Sequence, residues 1–161
     1  MRAYLGLGSN IGDGIAHIQR AFELLEAGGC NVRRVSSFYK TEPVGLRDQP
    51  WFINCVAEVE TGLSPRALLR AAKSFESAMG RQRTFPGGPR LIDIDILLYE
   101  DAEVNLPTVT IPHPRLGERR FMLVPLKELA PTARHPISKK TVSQMLRETA
   151  DRSRVNRIRQ R

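Results

Sequence analysis

Leu91-Ile92-Asp93-Ile94-Asp95-Ile96-Leu97-Leu98-Tyr99 is an apolar run broken by two acids placed two residues apart. Its aliphatic and β-branched content predicts a strand over residues 91–99. Side chains alternate across a strand, so Asp93 and Asp95 share one face and Ile92, Ile94 and Ile96 the other. The two aspartate Cα atoms then lie roughly 6.5–7 Å apart. Two carboxylates in such a run repel each other and cost desolvation energy, which calls for a cation between them. Mg2+ suits the position, because it takes a few carboxylate oxygens and completes its shell with water and substrate phosphates. The spacing alone equally describes an amphipathic strand with a wet face. The surrounding basic residues decide between these readings: Arg81, Arg83 and Arg90 precede the strand, and Arg115, Arg119 and Arg120 follow His113. Acids that hold metal, ringed by guanidinium groups, are the apparatus of phosphoryl transfer.

Outward from this strand, residues 81–90 form a basic loop broken by Pro86, Gly87, Gly88 and Pro89. Before it, Ser64-Pro65 starts a helix whose apolar stripe is Leu68, Ala72, Phe75 and Met79. Residues 52–60 alternate as a strand, with Phe52, Asn54 and Val56 on one face and Ile53, Cys55 and Ala57 on the other. Residues 41–51 hold two prolines and a glycine and form a loop long enough to be functional. Residues 32–40 read as one strand. Residues 3–8 read as another, and Asp13 caps a helix of about four turns bearing Ile15, Ile18, Phe22 and Leu25. Residues 104–112 are expected to be the hairpin partner of residues 91–99. Helices are expected near Leu123 to Leu129 and Thr141 to Glu148. The order strand, helix, strand, strand, helix, strand predicts an α+β fold: a ferredoxin-like antiparallel sheet with helices packed on it as three α-β-α layers.

The 161 residues fit a single domain, with a basic, frayed tail over residues 152–161. No secretory signal and no membrane-length apolar run is visible, and Cys30 and Cys55 lack the spacing of a zinc site or a disulfide scaffold. A monomeric cytoplasmic protein is expected. The formal charge of +8 favours polyanionic partners. It leaves open a nucleic-acid-binding module, supported by the arginine-rich tail, although no nucleic-acid motif accompanies it. A metal-dependent nuclease would share the acids but gives no reason for Phe52 beside Asn54, an aromatic face next to an amide that suits a flat heteroaromatic substrate. No Walker A sequence occurs. The turn Gly6-Leu7-Gly8-Ser9-Asn10-Ile11-Gly12 opens a helix without a lysine, and a plain strand-to-helix turn explains it equally well.

The segments GLGSN (6–10), SSFYKTEPVG (36–45), DQPWFIN (48–54), ESAMGRQR (76–83), GPRLIDIDILLY (88–99), IPHPRLGERRFMLVPL (111–126) and ELAP (128–131) together resemble the 6-hydroxymethyl-7,8-dihydropterin pyrophosphokinase family. The resemblance implies transfer of pyrophosphate from ATP to the pterin alcohol in folate biosynthesis, giving AMP, with small-molecule partners rather than nucleic acid or membrane. It implies two Mg2+ ions held by Asp93 and Asp95, and transfer assisted by Arg81 and Arg90. It places Gly8, Val44, Phe52, Asn54 and Phe121 around the pterin. Leu69, Lys73, Glu76, Arg83, Ile96, Thr110, His113 and Arg119 are placed around ATP. Pro86 and Gly87 stand where the family often has a basic residue and an aromatic, which leaves Phe85 or Trp51 as the aromatic candidates for a lid.

Overall fold

A computed structural model describes residues 1–82 and 85–159. The strands are β1 (Arg2–Ser9), β2 (Cys30–Val35), β3 (Tyr39–Thr41), β4 (Phe52–Thr61), β5 (Asp93–Tyr99), β6 (Val104–Asn105), β7 (Thr110–Ile111) and β8 (Val155–Arg157). The helices are α1 (Gly14–Ala27), α2 (Pro65–Ala78), α3 (Arg120–Leu129) and α4 (Val142–Glu148). The main sheet runs β5-β1-β4-β3-β8, with β2 also paired to β4, and the pairings are antiparallel. Leaving β8 aside, this is the strand order of a ferredoxin-like sheet, as the sequence predicts.

The alternation along β4 and β5 divides the core between two faces. Ile18, Leu25, Leu68, Ala72, Ile92, Ile94 and Ile96 pack on the α1/α2 side, while Val56, Leu97, Leu116, Leu123 and Leu126 pack on the α3/α4 side. Asp13 and Ser64 cap α1 and α2 by accepting from the Ala16 and Ala67 amides. In β5 the register slips between Tyr4 and Leu5 of the neighbouring strand, which leaves Leu97 as an extra residue. Leu97 and Leu98 consequently both join the α3 side, and the acidic pair shares that side with Leu97.

Three expectations are corrected. Residues 32–40 are two strands, because three residues, Ser36 to Phe38, span two on β4, and the Ser36 hydroxyl takes the Val56 amide at 2.9 Å where a strand carbonyl would. Residues 104–112 do not pair with β5: β6 and β7 pair with each other through a turn closed by Leu106 and Val109. The outer edge of β5 is met instead by Glu76, which accepts the Ile94 amide, and by the His113 amide, which donates to the Leu97 carbonyl. Nor is the tail frayed throughout, since β8 extends the sheet beside β3. Its main chain finds ladder partners there, and the Ile158 amide donates to the Phe38 carbonyl.

Candidate active site

A cavity of about 410 Å³ opens between β1, β4, β5, the loop after β3 and the start of α3. Gly8, Val44, Phe52, Asn54, Phe121, Arg90, Asp93, Asp95 and Arg119 all line it. The strand period explains why Phe52 and Asn54 arrive together on one face of β4, and Gly8 lies opposite Asn54 in the β1–β4 register. A Cβ at Gly8 would sit 2.4 Å from Asn54 Oδ1, so glycine is required there for the amide to fit. Asn54 Nδ2 donates to Thr41 Oγ1 at 2.8 Å, which fixes the amide's orientation in a nearly buried position. Gly8→Ala is expected to displace that amide at a cost of about 1–3 kcal/mol, measured as a lower midpoint of denaturant unfolding.

Asp93 is tied by two arginines: Arg81 Nη1 reaches Oδ1 at 3.1 Å and Arg90 Nη1 reaches Oδ2 at 3.2 Å. Asp95 has no such partner among the described residues. Burial, reinforced by the Asp93 charge, pushes its carboxyl up to about 7. Glu76 is buried, accepts Arg81 at 2.5 Å and the Ile94 amide at 2.8 Å, and has Lys73 Nζ at 3.6 Å. It therefore joins α2 to β5 and holds Arg81 against Asp93. Cations also cover both rings, Arg90 lying 5.2 Å from the Phe52 centroid and Arg119 5.5 Å from that of Phe121. Among the described residues no carboxylate pairs with Arg119 or Arg115, and burial together with Arg115 lowers the Arg119 pKa.

The residues assigned to ATP lie mostly outside this cavity, along the outer edge of β5. Leu69, Lys73 and Glu76 form one stripe of α2, and Thr110 and His113 flank the other end. His113 Nδ1 accepts the Arg115 amide at 3.1 Å, which leaves the ring proton on Nε2. Burial and the Arg119 charge lower its pKa to about 4, so the ring is neutral near pH 7. Ile96 presents its main chain, not its side chain, to the outer edge of β5. Its side chain is buried under α1 and α2, on the face away from the acids, and only its main chain lies on the same outer edge as Ile94. Arg83 lies outside the described residues.

Several residues of the site carried no readable sequence signal. Asn10, within the turn that suggested little, is buried and accepts the Arg90 amide at 2.8 Å while donating to Gln49 Oε1 and the Pro50 carbonyl. Gln49 in turn donates to the Gly87 carbonyl, so the loop after β3 and the loop before β5 are tied together. Thr41, Glu42, Gly45, Gly87, Arg115 and Met122 also line the cavity. Neither lid candidate does: Phe85 is exposed, and Trp51 carries Arg154 over its ring.

A ferredoxin-like sheet that presents paired acids and clustered arginines beside an aromatic cavity defines a small-molecule phosphotransferase-like site. Residues 4–131 match the family model of 7,8-dihydro-6-hydroxymethylpterin-pyrophosphokinase, HPPK, and the chain belongs to that family. It is 49% identical over 131 residues to the 2-amino-4-hydroxy-6-hydroxymethyldihydropteridine pyrophosphokinase of Methylorubrum extorquens, covering 81% of this chain and 83% of that one. It is 47% identical over 145 residues to the folic acid synthesis protein fol1 of Schizosaccharomyces pombe, covering 89% of this chain but only 20% of that longer protein. The fold matches Plasmodium falciparum HPPK-DHPS solved with pteroate, with a TM-score of 0.76 at 16% identity, over 91% of this chain and 42% of that one.

Proposed function

We propose that the chain transfers the β,γ-pyrophosphoryl group of ATP to the hydroxymethyl oxygen of 6-hydroxymethyl-7,8-dihydropterin, releasing AMP. The observation that carries this reading is that one cavity joins the Phe52, Asn54 and Phe121 surface to Asp93 and Asp95. The pterin ring lies between the two phenyl faces and exchanges hydrogen bonds with the Asn54 amide, beside Gly8 and Val44. ATP lies along the outer edge of β5, where Leu69, Lys73, Thr110 and the Ile96 main chain flank it. The Nε2 proton of His113 and the charge of Arg119 face its phosphates.

Asp93 and Asp95 are the residues that would hold Mg2+, and the donor set fits. Two carboxylates with no third acidic, histidine or cysteine ligand among the described residues suit an ion that keeps water and phosphate oxygens in its shell. The half-buried Asp95 carboxyl, without an ion-pair partner among the described residues, faces the cavity where such an ion would bring positive charge. Two ions are proposed, and when bound they neutralise phosphate charge and acidify the attacking hydroxyl. Arg81, steadied by Glu76, and Arg90 then neutralise charge on the transferred group and on the departing AMP.

Incubation with Mg-ATP and the pterin alcohol is expected to yield AMP; ADP would mean transfer of a single phosphoryl group. In the same assay Phe52→Ala is expected to raise the KM for pterin by about tenfold through loss of ring stacking, with the KM for ATP little changed. Equal pterin affinity in the variant would remove the pterin from this cavity.

A further inference from the structure

Residues 149–159 lie beyond the segment matched by the family and, without lining the cavity, bond to two of the elements that wall it. We propose that this C-terminal segment is a strap that sets the pterin side of the cavity, with Arg154 as its positioning residue. The inference rests on the assignment of the cavity to the pterin.

One end of the strap is fastened to the start of α3. The Arg120 amide donates to Asp151 Oδ2 at 2.9 Å, and Arg120 Nε donates to the Ser153 carbonyl at 3.1 Å. Arg120 sits between Arg119 and Phe121, both of which line the cavity. The other end grips the loop between β3 and β4. The Arg154 amide donates to Glu42 Oε1 at 2.5 Å, its Nε reaches the same oxygen at 3.3 Å, and its carbonyl accepts the Glu42 amide at 3.1 Å. The Arg154 guanidinium also lies 5.1 Å from the centroid of Trp51. Glu42 and Trp51 are the two ends of that loop, so a single side chain holds both. Directly afterwards β8 pairs with β3, Val155 standing opposite Thr41, whose hydroxyl orients Asn54.

The consequence is selective. Glu42, Val44 and Gly45 line the pterin cavity, and holding the loop ends in advance removes part of the ordering cost that the pterin would otherwise meet on binding. Asp93, Glu76 and Arg81 make no hydrogen bond or ion pair to the strap among the described residues, and Arg154 lies at the end of the strap away from Arg119, so the loop it holds belongs to the pterin side.

In the full chain, Arg154→Ala is expected to raise the KM for pterin about five- to tenfold, while kcat and the KM for ATP stay within about twofold. Acrylamide quenching of Trp51, the chain's only tryptophan, should rise in the same variant. Arg154→Lys restores a charge towards Glu42 and should recover part of the pterin affinity. In a Glu42→Gln background, Arg154→Ala should add less than it does alone. If Arg154→Ala does not fold, Trp51→Leu removes the ring contact and should raise the same KM. An unchanged pterin KM would overturn the strap, as would a parallel loss of kcat and both substrate affinities. If Phe52→Ala leaves pterin binding intact, the cavity assignment itself fails. If Phe52→Ala weakens pterin binding and the strap variants do not, only the strap fails.

Discussion

Asp95→Asn is expected to lower kcat by about a thousandfold or more, because it removes a carboxylate from the proposed Mg2+ pair at the point where phosphate charge must be neutralised. Pterin affinity should stay within severalfold of wild type, since Phe52, Asn54 and Phe121 are untouched. A variant keeping more than half of the wild-type rate would sink the assignment. Stability gives a second, opposite readout. The Asp95 carboxyl is raised from 3.8 to about 7 in the folded chain, so its favourable contribution is complete below about pH 3.8 and is lost as pH rises through 7. With chelator present at pH 8, Asp95→Asn should therefore melt at or above the wild-type temperature. Added Mg-ATP should raise the melting temperature of the wild type and much less that of the variant. A group that weakens the free protein yet is needed for turnover marks a functional site rather than a fold requirement.

Arg90→Ala should reduce the single-turnover transfer rate by about a hundred- to a thousandfold while changing the KM for ATP only severalfold. The truncation removes the contact with Asp93 and the cation over Phe52. It leaves the main-chain bonds between Arg90 and Asn10, so the loop keeps its place. Arg90→Lys is not expected to restore the rate, because a point charge cannot reproduce a planar fork that meets the Asp93 carboxylate and the Phe52 ring at once. An unchanged transfer rate with weakened ATP binding would make Arg90 a binding residue only.

Legibility in the sequence followed the periodicities. Helices α1 and α2 announce themselves because each buries one stripe, and strands β1, β4 and β5 because they are apolar or alternating runs bounded by turn residues; the residues of the cavity that sit on strands, Phe52, Asn54, Asp93 and Asp95, came with them. The break at Ser36–Phe38 was hidden because a serine hydroxyl replaces a backbone acceptor there, and no alternation rule registers that exchange. β8 was hidden because three residues of a basic tail carry no apolar alternation; its pairing is decided by the open edge of β3. Residues 104–112 looked like a partner for β5 because apolar residues recur there. The edge they would have filled is met instead by a buried glutamate and by His113. Loop residues such as Asn10 and Glu42 act through partners distant in sequence, which spacing cannot report.

Asn10 also bears on how the molecule opens. Its one side chain holds Gln49 and Pro50 on one side and Arg90 on the other, and Gln49 reaches across to Gly87. Neither loop can swing away without untying this knot, so the two behave as one door with a single bolt. The two loops are therefore expected to open together, and Asn10→Ala to let them open separately, which hydrogen exchange of residues 42–51 and 85–90 would show.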